Sequence, residues 1–376
     1  MPMNVRIPRF DYVAQYRAIR SEILEAVDQV FASGCLIRGP RVKAFEDTFC
    51  QFLDMPGHAV GVGNGTDALA IALRALEVGP GDEVITVANT AVATVSAIRM
   101  VGATPVFCDI RPETLLMDPS DVERQITDCT KAILPVHLFG NAADMAAIQR
   151  LAERHGLPVV EDCAQSCGTL FRGRPTGTWG DIGCFSFYPT KNLGAYGDGG
   201  LCFTRSDRLA EAMRQICNYG CGGSPCAERE GVNSRLDEVQ AAVLEIKLRR
   251  LPEYLRQRRS VAAAYRERLS PRSVMPRTTE GAEHSYHLLV IEADRRDDVI
   301  SRLRAEGIEY GIHYPTPVHR MAAYQFLGYM PGSLPVTERA AARVLSLPCY
   351  PELPIDTVPA ICFAINDVTE RCESRT

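Results

Sequence analysis

This 376-residue chain lacks a basic excess, a long apolar run and all but one tryptophan. Lysine and arginine number 41 against 46 aspartates and glutamates, a net charge of −5. Bulk electrostatics therefore offers no reason to bind nucleic acid. No uninterrupted apolar stretch reaches the length needed to cross a bilayer. Residues 1–10 lack the apolar core of a secretory leader, so a cytoplasmic protein is expected, with no membrane partner. The fourteen cysteines include no Cys-x-x-Cys pair. The tightest group, Cys217, Cys221 and Cys226, has no zinc-like spacing, so reduced, mostly buried thiols and no metal site are expected. No Gly-Lys-Ser/Thr occurs, which excludes a P-loop. Neither an internal repeat nor a low-complexity tract is present.

What is present is an alternation of strand-like and helical stretches. Ala59–Val62, Glu83–Val87, Thr104–Asp109, Ala132–Leu138 and Leu157–Asp162 read as strands. Between them, Ala68–Val78, Thr90–Met100 and Asp144–His155 read as helices. This rhythm predicts an α/β fold, a mostly parallel sheet sandwiched by helices, with strand ends gathered along one rim. Asn233–Arg250 reads as one long amphipathic helix and Pro252–Leu269 as another. The length suggests two domains, a large one over 1–250 and a smaller α+β domain over 251–376, with strands at His284–Ile291 and Ile308–Tyr314 and a helix at Asp297–Glu306. Arg249, Arg250, Arg256, Arg258 and Arg259 fall at helical spacing and predict a solvated face.

Three features carry chemistry. Gly63-Asn64-Gly65-Thr66-Asp67 joins a strand to a helix; Gly65, Thr66 and Asp67 would offer amides to an anion, and Thr66 or Asp67 would equally suit a helix cap. Asp162 ends a strand, with Gln165 three residues on; alternation sends Glu161 and Asp162 to opposite faces. Lys191 follows the strand Ile182–Phe187, five residues after Ser186, in a loop rich in glycine. Amides for a phosphate, an acid for a ring nitrogen, a hydroxyl and an amine together suit pyridoxal phosphate (PLP).

On these residues the chain resembles the DegT–DnrJ–StrS family of sugar aminotransferases, PLP enzymes of fold type I. The likeness runs through Gly39-Pro40, Gly63–Leu69, Glu161–Ser166, Phe185–Gly200, Asn218-Tyr219-Gly220, Gly231–Ala242 and Gly311–Pro315, nearly the whole chain. The resemblance implies that Lys191 holds the cofactor as a Schiff base, Asp162 pairs with its ring nitrogen and Gln165 lies by its ring hydroxyl. Gly65, Thr66, Asp67 and Ser186 would bind its phosphate. Asn233 would reach the phosphate of a neighbouring subunit, which implies a homodimer with shared sites; from sequence alone, Asn233 also suits a helix cap. Many relatives place an aromatic residue where Ala91 stands. A dehydratase branch carries histidine in place of the lysine, and Lys191 keeps this chain with the transaminases.

The activity implied is transfer of nitrogen from L-glutamate to a nucleotide-linked keto sugar, with a dTDP-3-keto-6-deoxyhexose as the expected acceptor. Amination at carbon 4, as in perosamine synthesis, and a non-enzymatic regulatory role are the alternatives. Tyr188, His313 and Tyr314 are expected at the sugar site or in packing. Arg235 is expected on the glutamate carboxylate or in a helix-surface ion pair.

Overall fold

A computed structural model describes residues 6–223 and 225–370. Its centre is a sheet of short apolar strands: β1 (His58–Val62), β2 (Glu83–Val87), β3 (Thr104–Cys108), β4 (Thr130–Ile133) and β5 (Val160–Asp162). After a small ribbon of β6 (Leu170–Phe171) and β7 (Arg174–Pro175) come β8 (Ile182–Ser186) and β9 (Gly200–Thr204). Hydrogen bonding gives the orders β1-β9-β8-β5 and β3-β2-β4. Bridges at Ile133–Val159 and Val136–Asp162 join the two groups. β5 runs parallel to β8, and β2 parallel to β3 and β4. Only β9 is reversed, against both β1 and β8. β8 passes to β9 through a loop with no crossover helix, and such a connection brings a strand back antiparallel. That loop holds Lys191.

Around the sheet lie α1 (Tyr12–Ser33), α2 (Pro40–Phe52), α3 (Gly65–Ala75), α4 (Val92–Met100), α5 (Pro119–Gln125), α6 (Met145–His155), α7 (Asp207–Ile216) and α8 (Glu238–Leu248). α3 lies against β8 and β9 and buries nearly every residue from Ala68 to Ala75. Asn64, rather than Thr66 or Asp67, caps it: the Asn64 side chain accepts from the Asp67 amide at 2.9 Å. The helix expected over 233–250 begins only at Glu238. Residues 232–234 instead pair with the segment that follows α7, through Tyr219 N to Val232 O and Ser234 N to Cys217 O, both 3.0 Å. Backbone spent in that pairing cannot enter a helix. Asn233 is therefore not a cap, and Glu238 at the helix start accepts from the amides of Gly39, Arg41 and Val42 at the head of α2.

α9 (Leu251–Arg268) leads into a second core formed by residues 261–365 with Ile7 and Phe10 packed against it. Its elements are the antiparallel pair β11 (Leu289–Glu292) and β12 (Val344–Leu347), with α10 (Arg296–Ala305) and α12 (Val358–Glu370), whereas the short β10 (Ala282–Glu283) pairs with β6 and α11 (Pro335–Arg343) packs against the core of the central sheet. Residues 6–10 follow this half of the molecule: the amides of Arg6 and Ile7 donate to Gly307 O, and Glu309 N donates back to Ile7 O. The strands expected over 284–291 and 308–314 are shorter or reduced to bridges. Ser285 N and Leu288 N are drawn instead to the carbonyls of Gly140 and Phe139, next to β5.

One arginine departs from the expected solvated face. Arg258 is 2 % exposed. Its guanidinium donates to the carbonyls of Cys349 at 2.6 Å and Tyr286 at 3.1 Å, tying α9 to the strands behind the cavity described below. Helical spacing cannot distinguish a charge facing water from one facing carbonyls of a distant segment. Arg258→Ala strands those carbonyls and is expected to cost about 2–4 kcal/mol, read as a thermal midpoint lower by roughly 2–5 °C in calorimetry.

Candidate active site

The C-terminal ends of β5 and β8 and the β8–β9 loop converge on a cavity of about 380 Å³, with Gln165, Tyr188, Lys191, His287, His313, Tyr314 and Arg9 among its lining residues. The lysine loop is closed by Lys191 N to Tyr188 O and Ala195 N to Phe187 O, each 2.8 Å. Gly194 is needed there, because a Cβ on it would lie 2.3 Å from Pro189 O. The Lys191 amine forms no hydrogen bond or ion pair with any described residue. Burial pulls its pKa down to about 8, and the charge of Asp162 offsets part of that fall.

Asp162 and Glu161 take opposite faces, as alternation requires. Glu161 is spent structurally: it accepts from His137 Nε2 at 2.9 Å, Gly177 N at 2.8 Å and Gly180 N at 2.7 Å. Cys163 lies close enough to His137 and Glu161 to bracket an ion. But His137 Nδ1 accepts from Ala143 N at 3.0 Å, and the hydrogen bonds on ring and carboxylate occupy the would-be ligand atoms. Asp162 faces the other way, 5 % exposed. It accepts from Thr94 Oγ1 at 2.8 Å and Ala164 N at 3.0 Å. Thr94 directs its proton to Asp162, so Thr90 must supply the 2.7 Å bond between the two threonines. Burial raises the Asp162 pKa above its ordinary value, and these two donors together with Lys191 pull it back. A carboxylate in that state favours a cationic N–H partner.

At the head of α3 the amides of Gly65 and Thr66 have no acceptor among the described residues, while Asp67 N is consumed by Asn64. The expected amide from Asp67 is thus not free. Its carboxylate is held away by the Ser234 hydroxyl at 2.6 Å. Gly65 packs on Ser186, where a Cβ would come within 2.6 Å of the serine Cβ. Two free amides and one hydroxyl therefore meet at a helix N-terminus, a cradle fitted to a phosphate.

Gln165 uses both ends of its amide: Oε1 accepts from Phe139 N at 2.8 Å, and Nε2 donates to the Tyr314 hydroxyl at 3.1 Å. Tyr314 is thereby left with its own O–H to donate, and burial first, then Asp162, pushes its pKa up to about 12. His313 accepts from Arg9 Nη1 at Nε2 (3.1 Å), because arginine can only donate, and so gives its Nδ1 hydrogen to Ser346 Oγ at 2.8 Å. Burial, then Arg9 and Lys191, lower the His313 pKa to about 4. Tyr188 lies at the mouth, 53 % exposed. Ala91 sits at the cap position of α4.

Of the expected residues, Gln165, Tyr188, Lys191, His313 and Tyr314 line this cavity; Asp162, Gly65, Thr66, Asp67 and Ser186 are not among its lining residues, and neither are Asn233 and Arg235. Asn233 is exposed and bridges Asn218. Arg235 lies in a separate cleft with Arg38 and Arg214, its guanidinium 5.7 Å from the centre of the Tyr219 ring. Thr94, His287 and Arg9 were not anticipated. Only Thr94 had a signal, its place in the segment where Ala91 breaks the family pattern.

Residues 17–366 match the sequence profile of the DegT/DnrJ/EryC1/StrS aminotransferase family. The chain belongs to this family. A dTDP-3-amino-3,4,6-trideoxy-alpha-D-glucose transaminase of Micromonospora megalomicea subsp. nigra is 47 % identical over 96 % of this aminotransferase and 98 % of the relative. A protein of Geobacillus stearothermophilus described as a pleiotropic regulatory protein is 44 % identical over 93 % and 95 %. The crystal structure of DesV from S. venezuelae, in complex with a ketimine intermediate, superposes with a TM-score of 0.94 at 42 % identity, covering 99 % of this chain and 100 % of that one.

The lowered pKa of Lys191 has a direct consequence for the cofactor-free aminotransferase. Only the neutral amine attacks an aldehyde, so the rate at which added PLP is captured should rise with pH through a midpoint near 8. Asp162 raises the Lys191 pKa, so Asp162→Asn should move that midpoint to lower pH in stopped-flow absorbance traces.

Proposed function

We propose that this aminotransferase uses PLP to move the amino group of L-glutamate to carbon 3 of a dTDP-linked 3-keto-6-deoxyhexose. The observation that carries the reading is the unbonded Lys191 amine in one cavity with the buried Asp162 behind it. The 47 % identical relative named for a 3-amino product supports the choice of carbon. PLP, when bound, supplies an aldehyde that condenses with amines and a cationic ring that takes up electrons from a breaking C–H bond.

In this reading Lys191 would hold the aldehyde, and its amine, when free, would serve as the base that moves a proton within the cavity. Asp162, aimed by Thr94, would hold the ring nitrogen. Gly65, Thr66 and Ser186 would hold the phosphate. Gln165 acts through Tyr314, whose high pKa keeps it a hydrogen donor toward the ring or sugar oxygens. His313 stays uncharged at neutral pH and so lines the sugar site without repelling Lys191. Asn233 and Arg235, turned away from their own subunit's cavity, would complete the site of a second subunit in a homodimer. A large domain over 1–250 and a smaller one over 251–376 remain part of this reading, with residues 6–10 laid across the smaller one. No helix among the described residues is long and apolar enough to cross a membrane. A cytoplasmic location, where thiols stay reduced, accords with cysteines that form no disulfide among the described residues.

The test is a panel of 3-keto and 4-keto nucleotide sugars with glutamate, read by mass spectrometry. The 3-keto dTDP sugars should be aminated; exclusive use of 4-keto sugars would refute the choice of carbon. PLP-loaded protein should lose its visible-violet absorbance on adding glutamate, and unchanged absorbance would favour a regulatory role. Lys191→Arg should lower turnover by at least about 10²–10⁴-fold.

A further inference from the structure

Arg9 is the unexpected cation of the cavity. The N-terminal segment reaches the site because Ile7 pairs with residues 307–309, and the Glu309 carboxylate accepts from the Arg9 main-chain amide at 2.8 Å. That carboxylate is committed to the backbone. The guanidinium itself donates to His313 and forms no ion pair with any described residue. Among the lining residues Arg9 is the one cation that stays charged throughout the neutral range, since burial pulls the Lys191 pKa down to about 8 and keeps His287 and His313 uncharged. A half-buried guanidinium with donors to spare and no carboxylate partner calls for an oxyanion.

Position in the cavity decides which oxyanion. Gln165 and His287 are 6 % and 7 % exposed and mark its interior, whereas Tyr12 and Tyr188 are 40 % and 53 % exposed and mark its mouth. Arg9 lines the cavity with Phe10 and Tyr12, on the segment that forms this rim. A hexose presenting carbon 3 to Lys191 has carbon 1, which carries the diphosphate, across the width of its ring. The diphosphate then points outward toward the rim, where the aromatic faces of Tyr12 and Tyr188 are open. Of glutamate's two carboxylates, the α-carboxylate is bonded to the very carbon that carries the reacting amine and stays in the interior. The γ-carboxylate ends its chain, whereas the diphosphate continues outward to a nucleoside for which the open rim leaves room.

We propose that Arg9 is the receptor for the diphosphate of the nucleotide-linked acceptor, an assignment that rests on the nucleotide-sugar reading above. It makes Arg9 a specificity residue for the second half of the reaction, with no part in the glutamate half.

Titration calorimetry of the PLP-loaded protein with dTDP and with UDP tests it apart from turnover. Wild-type protein should bind at least one of the two, more weakly as salt rises. Arg9→Gln should weaken that binding about 10- to 100-fold and flatten its salt dependence, while Arg9→Lys recovers part of both. The KM for glutamate should be unchanged in both variants. Equal nucleotide affinity in wild type and Arg9→Gln overturns the assignment, as does a loss that leaves the salt dependence intact, which would mark a purely structural role through His313. Failure of the wild type to bind either nucleotide would instead overturn the nucleotide-sugar reading on which the assignment rests.

Discussion

A carboxylate buried without a full cationic partner is the constraint on which this site depends. Asp162 sits at the end of β5 with one hydroxyl and one amide for company, and burial raises its pKa. Left alone, such a group tends to take up a proton. Its geometry is kept by structure on every side: the strand bonds that place it, Thr94 fixed by Thr90, and Glu161 locking the opposite face. A ring N–H arriving at that position meets an acceptor already desolvated and aimed, with little reorganisation left to make.

The second half of the constraint is that Lys191 is left free. Lys247 shows what an ordinary buried lysine in this protein does. Its pKa is also pulled down to about 8, but its amine donates to Gly194 O and lies 4.7 Å from the centre of the Tyr196 ring. Lys247 thus props the far side of the lysine loop and has no cavity of its own. Two lysines with the same titration differ in function because one is satisfied and the other faces an open pocket. A lowered pKa alone identifies neither role.

Much of this was legible in sequence because the decisive groups sit at strand ends. Asp162, Ser186 and Lys191 follow apolar runs whose period declares them strands, and the Gly63–Asp67 turn is bounded by a strand and a helix. What escaped was whatever depends on distant partners. Asn64 took the cap and with it the Asp67 amide, a contest between neighbours that composition does not decide. Asn233 and Ser234 left the expected helix because the end of α7 and the residues after it offered this segment a backbone ladder. Arg258 went inward because three carbonyls from residues 286, 287 and 349 converge on it. Arg9 reached the cavity through pairing with residues about three hundred positions away. Local pattern carries no trace of such partners.

The chain has four lysines, Lys43, Lys131, Lys191 and Lys247, so the attachment point can be read without ambiguity. Borohydride reduction of the PLP-loaded protein, followed by proteolysis and mass spectrometry, fixes any imine as a stable phosphopyridoxyl group on its lysine. The account predicts that group on Lys191 alone, in stoichiometric amount. Label on Lys247 or on an exposed lysine with Lys191 unmodified, or no label at all, would contradict it.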